Sequence, residues 1–270
     1  MTTYGVMMGP KGSGKRTLLS SLSRSATLIT DQNCEFIGQN DAIGDLNPPI
    51  VQWLKDGVLE YAKASPSQEN YRFTIDAALD IPMSEKIFFW KDSRTKDTDL
   101  MVVNFKNESE AMFANSAVEH LKKSQYFVLT GSCADLDKPS PNAHALYFDN
   151  VARFFLQMYA LDCSIDRVSI VLTEANLLPE DNQKSPEELA LQIMGPKVFE
   201  VFCTLCPKDT KFSFFCTDAM AHEKTQSHPL SLEDWKPTST IHPFLFSLLK
   251  HTYPKEFSVL EMNVKRGEAS

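Results

Sequence analysis

The stretch GPKGSGKRT at residues 9–17 sets Gly9, Gly12 and Gly14 ahead of Lys15 and follows the lysine with Arg16 and Thr17. Glycines at this spacing let successive backbone N–H groups turn toward one anion, since no Cβ blocks the conformations required. Lys15 can reach a terminal phosphate, and the RTLLSSL that follows opens a helix whose start favours negative charge. The apolar run YGVMM before the loop reads as a buried strand. Strand, G-x-x-x-x-G-K and helix in that order form a phosphate-binding loop. Its candidate phosphate-binding residues are Gly9, Gly12, Ser13, Gly14, Lys15, Arg16 and Thr17.

Arg16 stands where such a loop carries a Ser or Thr whose hydroxyl ligates Mg²⁺. Thr17 follows at once, and a G-K-x-T spacing occurs in some phosphate-loop families, nucleoside monophosphate kinases among them. Thr17 is therefore the candidate metal ligand, with Mg²⁺ itself left open. Arg16 either adds a cation near the phosphates or points to solvent from the first helical turn.

Positioning these groups takes a sizeable core, and the chain can supply one. Its 270 residues, 43% hydrophobic and 23% charged, suit one large globular domain. A net charge of -8 argues against nucleic acid as the main partner. No apolar run reaches the roughly 18 residues of a membrane span, and the N-terminus runs straight into the first strand without a signal-peptide pattern. Six cysteines, mostly in apolar segments, suit reduced thiols and a cytoplasmic location. CTLC at residues 203–206 offers half a metal site, but no second pair stands at a matching distance.

Along the chain, ATLIT (26–30) reads as a short strand and 31–47 as a polar connection rich in Gly, Asn and Asp. Pro48 and Pro49 open a helix expected to run to residue 64, followed by a loop, SPSQEN. Strand-like runs begin at Tyr71, Lys86 and Asp99, and RTKDTD between the last two reads as the turn of an antiparallel hairpin. Helices and buried strands then alternate: ESEAMFANSAVEHLKKS, QYFVLTGSC, AHALYFDNVARFFLQMYAL, RVSIVLTEANLL, SPEELALQIMGPKVFEVFCTLC, KFSFFCTDAM and HPFLFSLLKHTYPKEF. Ser185 should cap the fifth of these with Pro186 at its first position, and Gly195-Pro196 should break it. Such alternation predicts a mostly parallel sheet covered by helices on both faces.

A phosphate loop, an antiparallel hairpin, then helices interleaved with three strands resembles the layout of the GTP-binding proteins. The chain is similar to a diverged member of that superfamily, of the small-GTPase or bacterial double-GTPase kind (TRAFAC type). The resemblance implies a three-layer α/β/α phosphate-loop NTPase fold with GTPase-like topology, one domain over residues 1–262 with an insertion around 31–70, and a flexible tail at 263–270. It implies GTP or GDP as cofactor, with ATP or ADP as the alternative, and a protein partner. Its signature positions depart from pattern. Where D-x-x-G would end the second hairpin strand, the chain has Asn104 and Asn107. Where [NT]-K-x-D would read the base, it has Thr173, Glu174, Ala175 and Asn176, an acid for the lysine and an amide for the aspartate that accepts from guanine. Where S-A-x would follow the last strand, it has Cys216, Thr217 and Asp218. Thr173, Asn176 and Thr217 are the candidate base contacts, and no catalytic residue can be named.

The expectation is a nucleotide-binding GTPase-fold protein with eroded metal and base motifs, weak or absent in hydrolysis, working as a regulatory or scaffolding component. The alternative is an active phosphate-loop ATPase, GTPase or nucleotide kinase. It needs a carboxylate at the end of a core strand, for which Asp76 and Asp92 are the candidates.

Overall fold

The computed structural model of the chain describes residues 2–28, 33–61, 68–78, 95–106, 117–136, 142–179, 181–221, 231–237 and 239–248. Seven strands make one sheet: β1 (Thr3–Gly9), β2 (Asn33–Gly38), β3 (Gln68–Ala78), β4 (Thr95–Asn104), β5 (Ser124–Ser132), β6 (Arg167–Thr173) and β7 (Lys211–Cys216). Their spatial order is β2-β3-β4-β1-β5-β6-β7. From β4 to β7 all neighbours are parallel. β3 runs antiparallel to both β4 and β2. Strand order reverses at β1, so the loop leaving its C-terminal end opens into the crevice where sheets of this kind bind ligands.

Alternation of side chains assigns the two faces. Val6, Met8, Phe127, Leu129, Val168 and Ile170 point to one core, closed by α5 (Val118–Lys123), α6 (Ala143–Ala160), α7 (Pro186–Met194) and α8 (Pro196–Leu205). Met7, Tyr126, Val128 and Val171 point to the other, closed by α1 (Lys15–Ser20), α2 (Leu22–Thr27), α3 (Asp41–Gly44) and α9 (His242–Leu248). Strands apolar on both faces belong between two helical layers. The result is three layers, α/β/α. A satellite cluster joins Ile50 and Trp53 of α4 (Asn47–Asp56) to Trp235.

Several boundaries differ from the sequence reading. Ala26 and Thr27 end α2 instead of starting a strand, because Leu18, Leu22 and Ala26 recur at helical spacing and pack as one stripe. The polar connection at 31–47 contains β2 and α3. α4 starts near Pro48 as expected but stops at Gly57, whose φ of 77° suits a left-handed cap, so Val58 to Tyr61 leave the helix. SPSQEN is not all loop, since Gln68, Glu69 and Asn70 already belong to β3. Five of the six residues of the supposed hairpin turn are strand: Thr95 to Asp99 pair with β3, where Arg72 Nε donates to Asp99 Oδ2 at 2.9 Å. Charged and hydroxyl side chains bonded across the sheet gave that stretch its turn-like composition. The run from Lys86, Asp92, Asn107, Thr30 and the tail at 263–270 lie outside the described residues. Ser185 caps α7 with a reciprocal bond from Glu188, and Gly195 separates α7 from α8, as the sequence indicates.

Phe127 sits at the centre of the larger core, stacked on Phe154 at 4.6 Å and edge-on to Phe155 at 5.2 Å. Phe127→Ala should cost about 3–5 kcal/mol of stability, read from urea unfolding followed by circular dichroism. A loss below about 1 kcal/mol would show that this aromatic stack does not hold the core.

Candidate functional site

Within the 9–17 motif, residues 10–14 form a tight loop between β1 and α1. Gly14 has φ 68° and Gly12 φ 90°. A Cβ at Gly14 would stand 2.9 Å from Thr173 Oγ1, so both conformation and contact require glycine there. The sheet holds the loop in place from the side: Ser13 Oγ and Thr130 Oγ1 are 2.8 Å apart, and Thr173 Oγ1 donates to the Ser13 carbonyl at 3.3 Å. Lys15 is only 6% exposed. Its Nζ donates to the carbonyls of Gly9 (2.9 Å) and Pro10 (2.7 Å) and to Ser13 Oγ (3.2 Å). The loop thus curls around the Lys15 ammonium group.

Beside the loop lies a cavity of about 220 Å³ lined by Gly12, Gly14, Lys15, Arg16, Thr17 and, from other elements, Tyr61, Glu69, Tyr71 and Asn104. Arg16 neither faces solvent nor hangs loose. Its guanidinium pairs with Glu69 Oε2 at 3.3 Å and lies 5.7 Å from the centre of the Tyr61 ring. Tyr71 donates to the same carboxylate oxygen at 2.6 Å. Burial raises the Tyr71 phenol above its ordinary range, and the bond to Glu69 adds to this, so it remains a donor. Tyr61 hydroxyl meets Ser20 Oγ at 3.3 Å.

Glu69, Tyr71 and Tyr61 were not among the sequence candidates. The sequence reading puts Glu69 in a loop and Tyr61 on a helix face; the β3–β4 register brings Glu69 and Tyr71 here, with Glu69 facing Val102, two residues before Asn104. The same register carries Asp76 to the opposite end of the sheet, against Thr95, with Thr95 Oγ1 donating to its carboxylate at 3.1 Å. Asp76 therefore cannot serve a metal at this loop.

The structure sets the expected base-side residues at the neighbouring strand ends. Thr173 and Thr217 are buried, while Asn176 is exposed in a short turn of 3-10 helix. Ala175 N–H donates to Thr217 carbonyl at 3.1 Å and Thr217 N–H to Leu172 carbonyl at 2.8 Å, stitching the two loops together. Glu174 adopts a left-handed φ of 59° and accepts from Ser132 Oγ. It is turned back to the end of β5 by that bond. Cys203 lies in α8 and Cys206 ends it, and among the described residues no three His, Cys, Asp or Glu side chains gather to hold a metal.

The site does not fit the Mg²⁺ that the resemblance would bring. Position 16 offers a guanidinium for a hydroxyl, Asn104 is neutral where a carboxylate is needed, and Glu69 is already paired.

The loop after β1, the reversal of strand order at β1 and the antiparallel β3 beyond β4 are the features that decide the architecture. It is a phosphate-loop fold of GTPase-like topology.

No protein-family profile matches the chain. No curated protein matches it either. Solved structures similar to it include the signal recognition particle receptor SRb-GTP/SRX complex from Chaetomium thermophilum, with 13% identity and a TM-score of 0.40 over 83% of this chain and 94% of that one. The small COPII coat GTPase SAR1 from Encephalitozoon cuniculi in complex with GDP shows 11% identity and a TM-score of 0.33, over 96% and 78%. A complex of SsGBP with GDP shows 12% identity and a TM-score of 0.34 over 81% of this chain, which spans 45% of the SsGBP chain.

Burial lowers the Lys15 ammonium to about 7 from an ordinary 10.5. An arriving phosphate would restore the charge, so binding near pH 8 should take up a proton at Lys15. Because the free lysine is depressed and the bound one is not, affinity should be full below pH 7 and fall by up to about tenfold per pH unit above it. Pyrophosphate titrations between pH 6 and 9 in buffers of different ionisation heat measure both effects. A flat profile without proton uptake would show that Lys15 is charged in the empty site.

Proposed function

We propose that this chain binds the phosphates of a nucleoside di- or triphosphate in the loop of residues 9–17 and acts through protein contacts of the bound state, with little or no turnover of the nucleotide. The observation that carries this reading is the loop itself: a buried Lys15 ammonium ringed by loop oxygens at the switch point of the sheet. A cavity of about 220 Å³ is smaller than the roughly 300 Å³ lower bound for a whole ligand site. It suits the phosphates, with the nucleoside lying outward along the ends of β6 and β7. Guanine is the base proposed, with Thr173, Asn176 and Thr217 as its contacts. Guanine presents two donors at its N1 and N2 edge, and Asn176 offers one acceptor and one donor, so selectivity should be weak.

Low turnover follows from what the cavity offers an attacking water. Among the described residues no carboxylate but Glu69 lines it, and that one is paired with Arg16. A regulatory or scaffolding role is supported by β2, at one end of the strand order, on which Ile37 is 47% exposed. The chain has among its described residues no helix long and apolar enough to cross a membrane. The competing reading, an active ATPase, GTPase or nucleotide kinase, would make Glu69 a metal-organising group freed from Arg16.

Lys15→Ala should abolish binding of fluorescent GDP and GTP while leaving the melting temperature within a few degrees of the parent chain. GTP or ATP hydrolysis by the parent chain should stay at the buffer blank. Unchanged affinity in Lys15→Ala would remove the loop as the site, and turnover well above blank that disappears in Lys15→Ala would establish the enzyme reading.

A further inference from the structure

A cation has to stand beside the terminal phosphates of a bound nucleotide, and this chain carries one of its own in that place. The Arg16 guanidinium follows Lys15 directly and lines the same cavity as Gly12, Gly14 and Asn104. It is only 14% exposed, and its partner Glu69 is 25% exposed. Tyr61 lies against one side of the guanidinium, and Tyr71 fixes the carboxylate that holds it. Glu69 is contributed by β3, an element distant in sequence, so this pairing is built by the fold and not by local chain geometry.

We infer that Arg16 takes the part of the divalent cation, so that the site accepts a metal-free di- or triphosphate, and that Glu69 is the internal anion which the ligand's terminal phosphate displaces. The inference rests on the phosphate-binding reading above and specifies the ionic form of its ligand. Guanidinium suits the task because its planar fork can grip two phosphate oxygens at once, where a lysine offers only a point charge. A divalent ion in this cavity would share its lining with the Arg16 and Lys15 cations and meet a donor set short of carboxylates among the described residues. A phosphate entering the cavity replaces one carboxylate–guanidinium pair with a bidentate phosphate–guanidinium pair. Tyr71 goes on donating to Glu69, so the released carboxylate keeps a partner.

The test is calorimetric titration of the full chain with inorganic pyrophosphate, in EDTA and in millimolar Mg²⁺, with folding of every variant checked by circular dichroism. Binding in EDTA should be at least as tight as in Mg²⁺. Arg16→Ala should weaken it tenfold or more, and Arg16→Lys, which keeps the charge but loses the fork, should fall between. Glu69→Gln should tighten binding severalfold by removing the competing anion, and this readout survives even if Arg16→Ala fails to fold. Affinity that rises tenfold or more with Mg²⁺, parent-like binding by Arg16→Ala, or weaker binding by Glu69→Gln would each overturn the inference. Mg²⁺-dependent binding that is lost in Lys15→Ala would overturn it alone and leave the phosphate site standing. No binding by the parent chain or Glu69→Gln under either condition would bring down both.

Discussion

Two threonines seat the phosphate loop on the sheet, and the rest of the site depends on that seating. Thr130 near the end of β5 reaches Ser13 Oγ and the Met8 carbonyl. Thr173 at the end of β6 reaches the Ser13 and Gly131 carbonyls and packs where a side chain at Gly14 would stand. The single Thr173 hydroxyl proton is shared between two carbonyls, so the contacts amount to about three hydrogen bonds, each worth about 1 kcal/mol net, and they are less important as energy than as geometry. They fix the curvature that turns the Gly9 and Pro10 carbonyls onto Lys15, and they bind the ends of β1, β5 and β6 into one rigid rim.

That rim also decides what the site is able to do. With the lysine held inside the loop, the position after it projects across the crevice toward β3. A serine or threonine there would leave space for a hydrated metal, but Arg16 fills the space and needs an anion. Glu69 supplies one, and Tyr61 and Tyr71 close the sides. If Arg16 takes the part of the cation, Arg16 and Asn104 belong to one arrangement and are not two separate losses. A cation carried on the chain would remove the demand for a carboxylate on β4 and for a metal-binding hydroxyl on α1.

The loop and the layered architecture were legible in the sequence because both are written locally. Gly12, Gly14 and Lys15 announce a backbone conformation, and strands such as FVLTG and SIVLT, apolar on both faces, announce two covering layers. The Ser185 cap and the Gly195-Pro196 break were equally plain. The partners of Arg16 were not. Glu69 sits in a polar stretch with every composition mark of a loop, and its strand character comes from pairing with β4 thirty residues later in the chain. Tyr61 fitted a helical stripe that Gly57 interrupts, and Asp76 looked as suitable a carboxylate as any until register put it at the far end of the sheet. Cross-sheet register is set by long-range pairing, which single-residue patterns do not encode.

The account turns on whether a phosphate takes the place of Glu69 on Arg16. A crystal structure of the chain grown with GDP in EDTA examines this directly. It should show the β-phosphate inside the loop against Lys15, with the Arg16 guanidinium gripping its oxygens and Glu69 moved off to Tyr71 alone. A phosphate bound in the loop while Arg16 still holds Glu69, or GDP found elsewhere on the molecule, would contradict it.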